Sequence, residues 1–282
     1  MTTKLTIPEP TWFVGCGNMG GAILDGWRMG GLDLSPITVN RPSDKAVEGV
    51  RVVTSFGEAN RKPKVAVLAF KPQKLPDIAP QLRPFAGADT VIISLLAGAE
   101  VATLRGHFPE ALGIVRATPN LPVAVRRGVT GLYGDLADGP LKQQIGDLFV
   151  ALGFAMWMAD EQKLGALGAL AGAGPAYVAR FIASLAKAGM RKGLGEETAS
   201  VLALETMLGT AWMAATTGES MNSIAKRVAS PKGTTQAGLD VLDHDHVLDE
   251  LVGLAIDAAM RRGAELAQEA KSASLAEAPR LS

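Results

Sequence analysis

Short runs of apolar residues alternate with helical patterns through the first half of the chain. The runs are continuously apolar, and many are followed by a segment with helical periodicity. Continuous apolar strands joined by helical crossovers are typical of a mainly parallel sheet that is covered on both faces. The predicted strands cover residues 12–15, 37–40, 51–54, 65–70, 90–95, 113–117, 129–133 and 155–158. The predicted helices cover residues 20–29, 75–82, 101–108 and 141–152.

The pattern changes at about residue 161, after which no convincing strand follows. Alanine, leucine, methionine and glycine dominate, and apolar residues recur at helical spacing. We therefore predict an α/β domain at residues 1–160, an all-α domain at 161–270 and a flexible tail at 271–282. The helices of the second part are predicted at 174–192, 196–216, 220–228, 235–242 and 247–269.

The helical half is unusually apolar and rich in small residues for a domain that stands alone. A tight intramolecular bundle is one explanation. We favour a second, in which helices of two chains pack together, because obligate interfaces resemble a domain core cut in half. The pattern thus predicts a homodimer formed through the helical domain, and a higher oligomer is left open.

Composition narrows the class of protein. The chain has 282 residues, 48% of them hydrophobic, and its 28 Lys+Arg and 28 Asp+Glu give zero formal charge, which argues against a nucleic-acid partner. Cys16, the single cysteine, excludes an internal disulfide and fits a reducing compartment. The segment MTTKLTIPEP lacks a signal-peptide pattern, and no apolar run reaches the length of a membrane span. We expect a soluble, cytoplasmic protein without a membrane partner.

A glycine-rich motif, Gly15-Cys16-Gly17-Asn18-Met19-Gly20, follows the first apolar run and opens a helical pattern. This strand–turn–helix context is the one that a G-x-G-x-x-G dinucleotide fingerprint requires. Gly15 would permit the tight turn, Gly17 the approach of the pyrophosphate and Gly20 close helix–strand packing, with Asn18 and Met19 at the helix start. The alternative is a purely structural glycine turn. We predict a Rossmann-type dinucleotide-binding domain.

The end of the second predicted strand indicates which dinucleotide is bound. Asn40 and Arg41, followed by Ser43 and Lys45, offer an amide, a guanidinium and a hydroxyl. This set suits a 2′-phosphate better than the acidic residue that is usual at NAD sites. We predict NADPH, with NADH left open, and the alternative reading of Arg41 is an ordinary surface arginine.

Three further strand ends should border the same ligand, because ligands bind at the carboxyl ends of parallel strands. Phe70, Lys71 and Pro72 end the fourth predicted strand and begin the turn after it, and Lys71 has a second interpretation as a catalytic base. Ala97 follows the fifth. Asn120, held between two prolines, either bonds the nicotinamide side of the site or caps a turn.

A second candidate site is Ser230-Pro231-Lys232-Gly233-Thr234-Thr235, which precedes the helical pattern TQAGLDVL. The backbone N–H groups of Gly233, Thr234 and Thr235 should be helix-start donors, for which a carboxylate is a natural ligand. The structural alternative is that Thr234 or Thr235 caps the helix.

Other polar and aromatic residues carry weaker predictions. Glu205 either contacts the substrate region across a dimer interface or forms a surface salt bridge. We predict no metal site, because His244-Asp245-His246 is more typical of a solvated turn. The four tryptophans lie in apolar segments and are predicted to be core, namely Trp12, Trp27, Trp157 and Trp212.

Taken together, these residues resemble the pyrroline-5-carboxylate reductase family over about residues 12 to 265. The chain departs from the family pattern at Ala171 and Ala173, where serines are usual, at Glu205, where glutamine is usual, and at Lys232, where glycine is usual. The matching segments are FVGCGNMGGAI, LAFKPQ, SLLAGA, RATPNLPVAVRRGVTGLY, LGALAGAGPAYVARFIASLAKAG, ETMLGTA and VASPKGTTQAGL.

The resemblance implies NADPH-dependent reduction of 1-pyrroline-5-carboxylate to L-proline by hydride transfer to a cyclic imine. It implies that Ser230, Gly233 and Thr234 bind the substrate carboxylate, and that Thr235 faces the ring nitrogen as the catalytic hydroxyl. An iminium substrate needs little proton transfer, so catalysis would rest mostly on positioning. The alternatives are a related imine or β-hydroxyacid oxidoreductase and a non-catalytic NADP-binding sensor.

Overall fold

A computed structural model of the chain describes residues 5–59 and 61–276, with side chains as far as residue 269. Eight strands form one sheet in the order β3-β2-β1-β4-β5-β6-β7-β8. The predicted α/β region followed by helices is confirmed. The strands are β1 Thr11–Val14, β2 Ile37–Asn40, β3 Arg51–Val53, β4 Val65–Leu68, β5 Val91–Ser94, β6 Gly113–Pro119, β7 Gly128–Gly134 and β8 Gly153–Trp157.

The sheet is mainly parallel, as predicted, with one reversal. Strand β7 runs antiparallel to β6 and parallel to β8. The reversal follows from the connection after β6, which is a short 3₁₀ turn at Leu121–Val125 and leaves no room for a crossover helix. The helices of the first part of the chain are α1 Asn18–Met29, α2 Leu75–Leu82, α3 Val101–His107, α4 Pro140–Val150 and α5 Glu161–Leu167.

Apolar side chains cover both faces of the sheet. One buried cluster contains Phe13 and Trp27, and the other contains Trp12 and Phe108. The core prediction is therefore confirmed for Trp12 and Trp27. Trp157 is half-buried, and Trp212, at 57% exposed, was wrongly predicted to be core.

The described residues divide into two compact units, of which the first contains the sheet. It comprises the residues up to Ala173 together with those from Ala259 onward, and the second is Gly174–Ala258. Helix α5 and a five-residue π-helical turn, Gly168–Gly172, thus belong to the sheet unit. The domain boundary at residue 161 stays a prediction. Helix α10 reaches Ala276, and residues 277–282 of the predicted tail lie outside the described residues.

The second unit is helical and has almost no core of its own. Its buried cluster consists of three alanines, Ala186, Ala199 and Ala203. Large apolar side chains such as Phe181, Leu208 and Leu254 are instead more than two-fifths exposed. Exposed apolar area on this scale marks an interaction surface. The helices are α6 Gly174–Met190, α7 Glu196–Thr217, α8 Met221–Val228, α9 Thr234–Leu242 and α10 Val247–Ala276, of which α10 continues into the first unit.

One helical run also meets the criteria for a membrane span. By length and composition alone, Glu161–Met190 is long and apolar enough to cross a bilayer, and 6% of its most apolar window is buried. The expected absence of a membrane partner therefore stays a prediction.

Candidate functional site

The carboxyl ends of the central strands lie in one line across the sheet. Val14 pairs with Asn40 on one side and with Leu68 on the other, and Leu68 pairs with Ser94. The strand order reverses between β1 and β4. A ligand of an open parallel sheet binds at such a switch point, beyond the carboxyl ends of the strands. The turns that follow β1, β2, β4 and β5 therefore border one candidate site.

The turn after β1 depends on glycine. Gly15 has a left-handed backbone, with φ of +80°, and its N–H donates to the Asn40 carbonyl at 2.7 Å. A Cβ at this position would lie 2.7 Å from the Ala69 carbonyl oxygen. A Cβ on Gly20 would lie 3.2 Å from the Cβ of Ala69. Both positions therefore pack β1, α1 and the end of β4 more closely than a larger residue allows.

Helix α1 presents uncapped backbone donors at the same edge. Its N-cap is Gly17, no side chain caps it, and the first intrahelical bond runs from Gly21 N–H to the Gly17 carbonyl at 2.9 Å. The N–H groups of Asn18, Met19 and Gly20 come before that bond. A Cβ on Gly17 would be 3.9 Å from its nearest protein neighbour, so the space in front of the turn is open. This arrangement fits a pyrophosphate.

The end of β2 supplies polar groups without an obvious structural use. The Asn40 amide nitrogen Nδ2 is buried and has no hydrogen-bond partner among the described residues. Burial raises the pKa of the Cys16 thiol, and the Arg41 guanidinium offsets part of that rise. The Arg41 side chain therefore lies near the glycine-rich turn. An unpaired amide donor beside a guanidinium fits the phosphorylated ribose of a dinucleotide.

The turns after β4 and β5 carry the other predicted contacts. Phe70 is half-buried, Lys71 is exposed, and Pro72 begins a 3₁₀ turn at Pro72–Lys74. Ala97 is exposed in the turn after β5. These residues can offer backbone and apolar contacts at the switch point, which is the role that we predict for them.

Asn120 is buried, and its side chain bonds to the protein itself. Its Nδ2 donates to the Ala171 carbonyl at 2.9 Å, and its Oδ1 accepts from Val129 N–H at 2.8 Å. These bonds favour the alternative in which Asn120 fixes a turn. A direct contact with the nicotinamide stays a prediction.

The second candidate site, in the helical unit, begins a helix as predicted but with one difference. Helix α9 starts at Thr234, and Gly233 is its N-cap. The Gly233 N–H donates to the Ser230 carbonyl at 2.9 Å, so the prediction that it is a free donor was wrong. The loop is tightly closed at this point. A Cβ on Gly233 would therefore clash with the Ser230 hydroxyl oxygen.

Two threonines lie in the first turn of α9 instead of capping it. No side chain caps the helix, and the first intrahelical bond runs from Ala237 N–H to the Gly233 carbonyl at 3.1 Å. The N–H groups of Thr234, Thr235 and Gln236 precede that bond, and both threonines are exposed. The turn can therefore accept an anion beside two hydroxyls.

Lys232 has a left-handed backbone, with φ of 58°. This conformation costs a non-glycine residue about 1–2 kcal/mol, whereas glycine adopts it freely. This difference gives a physical reason for the glycine that is usual at this position in the family that the sequence resembles. Glu205 is exposed on α7 and forms no ion pair within the described part of the chain. Among the described residues, no group of three or more His, Cys, Asp or Glu could hold a metal ion.

Sequence reasoning missed one ion pair beside the first site. Arg116, in the middle of β6, donates from Nη1 to the carboxylate of Glu161 at the start of α5 over 2.8 Å. The two residues are 45 positions apart. An arginine within a predicted strand and a glutamate at a helix start were the available signals, but neither identifies the other as its partner.

Comparison with family models identifies two matching regions. Residues 161–266 match the model described as pyrroline-5-carboxylate reductase dimerisation. Residues 12–98 match the model described as NADP oxidoreductase, coenzyme F420-dependent. The first match supports oligomerisation through the helical region, and the second covers the glycine-rich turn and the ends of β2, β4 and β5.

Similar proteins and structures cover nearly the whole chain. A pyrroline-5-carboxylate reductase of Pseudomonas aeruginosa is 34% identical over 91% of this chain and 96% of its own. Pyrroline-5-carboxylate reductase 2 of Bacillus subtilis is 32% identical over 93% and 97%. The structure of a pyrroline-5-carboxylate reductase from Coxiella burnetii, at 32% identity, superposes with a TM-score of 0.84 over 92% of this chain and 99% of that one. The Plasmodium falciparum pyrroline carboxylate reductase with NADP bound, at 25% identity, gives 0.83 over 93% and 99%.

Alanine substitutions at Gly15 and Gly17 should separate folding from ligand binding. Gly15→Ala combines left-handed strain with a steric clash, so we expect it to lower the free energy of unfolding by about 1–3 kcal/mol. Gly17→Ala should change stability by less than about 1 kcal/mol, because the new Cβ points into open space. It should nevertheless weaken dinucleotide binding about tenfold or more, since that space is needed by the pyrophosphate. Denaturant unfolding and fluorescence titration measure the two effects. Unchanged dinucleotide affinity in Gly17→Ala would contradict the assignment.

Proposed function

This chain belongs to the pyrroline-5-carboxylate reductase family, and from that premise we propose that it reduces 1-pyrroline-5-carboxylate to L-proline with NADPH. The observation that carries the proposal is that one chain, which belongs to this family, contains two candidate sites. One is an open glycine turn at the sheet's switch point, and the other is an uncapped helix start that bears two hydroxyls. An enzyme that reduces a small carboxylate with a dinucleotide needs one site for the dinucleotide and one for the carboxylate.

The residues at the switch point suit NADPH. Gly15, Gly17 and Gly20 shape the turn, and the amides of Asn18 and Met19 would face the pyrophosphate. Asn40 Nδ2 and the Arg41 guanidinium would bind the phosphorylated ribose. We propose backbone and apolar contacts to the nicotinamide half for a further set, namely Phe70, Lys71, Pro72, Ala97 and Asn120. When bound, the reduced nicotinamide supplies the hydride.

The start of α9 suits the substrate. Its carboxylate would accept bonds from the Thr234 and Thr235 amides, with Ser230 and Gly233 closing the loop behind them. The ring nitrogen is protonated in the iminium form, so hydride addition to the adjacent carbon gives the neutral amine without a protein acid. Thr235 Oγ1 would orient that nitrogen and exchange its proton with water. Glu205 remains a proposed neighbour of the substrate.

We propose that the functional form is a homodimer through the helical region, 161–270. The helical unit buries little beyond alanine, and residues 161–266 match a dimerisation model. Covering the exposed apolar face would also account for the apolar run Glu161–Met190 in a soluble protein. A soluble, cytoplasmic location stays a prediction.

Removing the Thr235 hydroxyl tests the reaction and its site together. We expect wild-type protein to oxidise NADPH with pyrroline-5-carboxylate and not with open-chain imines or β-hydroxyacids. Thr235→Ala should lower kcat by about 10²-fold or more while NADPH affinity stays the same, because only the substrate end loses a contact. Thr235→Ser, which keeps the hydroxyl, should recover a large part of the rate. Tight NADPH binding without turnover on any of these compounds would favour a sensor, and wild-type turnover in Thr235→Ala would refute the role of the hydroxyl.

Exchange of Arg41 for alanine tests the choice of dinucleotide. We expect the Kd for NADPH to rise about 10–100-fold, because a charge-assisted bond to phosphate is lost, while the Kd for NADH changes little. The matched control is Arg61→Ala. Arg61 is exposed, pairs with Glu9 at 2.8 Å and lies near the amino ends of the strands, at the opposite edge of the sheet. Titration of wild type and both variants with NADPH and with NADH gives the six Kd values. Equal losses for NADPH and NADH, or none, would refute the assignment of Arg41.

A charge on the exposed apolar surface should break the dimer. Leu208 on α7 is 57% exposed, and we expect Leu208→Glu to shift the protein toward monomer. Met29→Glu is the control, since Met29 is 62% exposed on α1 in the sheet unit. Sedimentation at micromolar concentration distinguishes the species. A wild-type protein that sediments as a monomer would overturn the proposal.

A further inference from the structure

The loop at residues 95–100 joins β5 to α3 and lies at the proposed NADPH edge. Strand β5 ends at Ser94, in line with Leu68 of β4 and Arg116 of β6. Ala97, near the middle of this loop, is exposed, whereas Leu96 and Ala99 on either side of it are buried. The loop therefore exposes a short stretch of backbone around Ala97, and the buried side chains of Leu96 and Ala99 anchor it on either side.

Two contacts hold the loop near its beginning and middle. The Ser94 hydroxyl accepts from Leu96 N–H at 3.2 Å. Gly98 has a left-handed backbone with φ of +77°, and a Cβ there would lie 2.7 Å from the backbone nitrogen of Ala267 on α10. The backbone of α10 therefore packs directly on the loop at Gly98.

The third contact, at the end of the loop, is a carboxylate from a distant part of the chain. Glu161 Oε1 accepts from Val101 N–H, the first residue of α3, at 2.8 Å. The Glu100 side chain, at the N-cap itself, makes no capping bond. Glu161 thus caps α3 from the start of α5, where a carboxylate also matches the positive end of the helix dipole.

Arg116 fixes the carboxylate that forms this cap. Its Nη1 donates to the same Oε1 atom at 2.8 Å, and the two side chains are only 14% and 24% exposed. A partly buried, charge-assisted bond is stronger and more directional than a surface pair. Glu161 is therefore held in one position by an arginine that is itself anchored in the sheet.

We propose that Arg116 and Glu161 are positioning residues for the cofactor, which act by holding the 95–100 loop against the nicotinamide half of NADPH. The proposal rests on the proposed function, because it needs NADPH at this edge. Neither side chain has to touch the cofactor. Their effect is preorganisation: a loop that is already ordered in the free protein loses less conformational entropy on binding.

The first experiment removes the cap in the protein without cofactor. In Glu161→Ala we expect the Val101 amide to exchange its hydrogen about tenfold faster or more than in wild type. Glu161→Gln keeps an acceptor oxygen of the same reach and should restore part of that protection. A double variant, Arg116→Glu with Glu161→Arg, rebuilds the ion pair without an acceptor and should not restore it.

The second experiment measures NADPH in the same variants. Glu161→Ala should raise the Kd and the KM for NADPH about tenfold, with kcat changed less than about twofold, because the loop must be ordered on binding. Asp135→Ala is the matched control. Asp135 also pairs with an arginine, Arg105, at 2.7 Å and accepts a backbone N–H, that of Ile114, but at the amino end of β6. It should lower the melting temperature comparably and leave the Kd for NADPH unchanged.

Three results would overturn the proposal. One is wild-type NADPH affinity in Glu161→Ala, and another is an equal loss of affinity in Asp135→Ala. The third is unchanged exchange at Val101 in the free Glu161→Ala protein, a readout that does not depend on cofactor. If Glu161→Ala does not fold, Glu161→Gln and Arg116→Lys carry the same comparison. Failure of wild type to bind NADPH would refute the proposed function, and the exchange data would still test the cap.

Discussion

The register of the parallel strands is the constraint on which the proposed cofactor site depends. Because Val14, Asn40, Leu68 and Ser94 lie in one line, the turns that follow them reach the same edge of the sheet. Gly15 then fixes how closely these turns approach, since its backbone packs on the Ala69 carbonyl. A slip of one residue in any strand would turn its side chains to the opposite face and separate these groups.

The helical unit shows the opposite situation, in which a single chain does not complete its own packing. Alanines form its buried cluster, whereas Leu208, Trp212 and Leu254 are more than half exposed. Buried apolar area offsets the conformational entropy of ordered helices, and this unit buries little of it on its own. Packing against a second chain, as proposed, would bury the exposed apolar side chains.

The sequence was informative where the signal is local. The strands are short, continuous apolar runs, so all eight could be predicted in their order along the chain. Their predicted ends lie within a residue or two of the observed ends. The glycine-rich turn was recognisable because Gly15, Gly17 and Gly20 stand between a strand and a helix. The α9 start was found for the same reason, since Gly233 directly precedes a helical segment that opens with the two threonines.

The features that could not be predicted from the sequence depend on contacts that form only in the folded chain. The direction of β7 follows from its neighbours and not from its apolar run. Trp212 lies in an apolar segment that is typical of a core, but its side chain is 57% exposed in the folded chain. The Gly233 amide bonds back to Ser230, and Arg116 meets Glu161 across 45 residues. No local pattern specifies these pairings.

The most direct test of the central claim is amide hydrogen exchange with and without NADPH. If the aligned strand ends form one dinucleotide site, NADPH should slow exchange together at the turns after β1, β2, β4 and β5, including the amides of Asn18 to Gly20. Exchange at the amino ends of the same strands should not change. Protection confined to one of these turns, or found at the amino-terminal edge, would contradict a single site at the switch point.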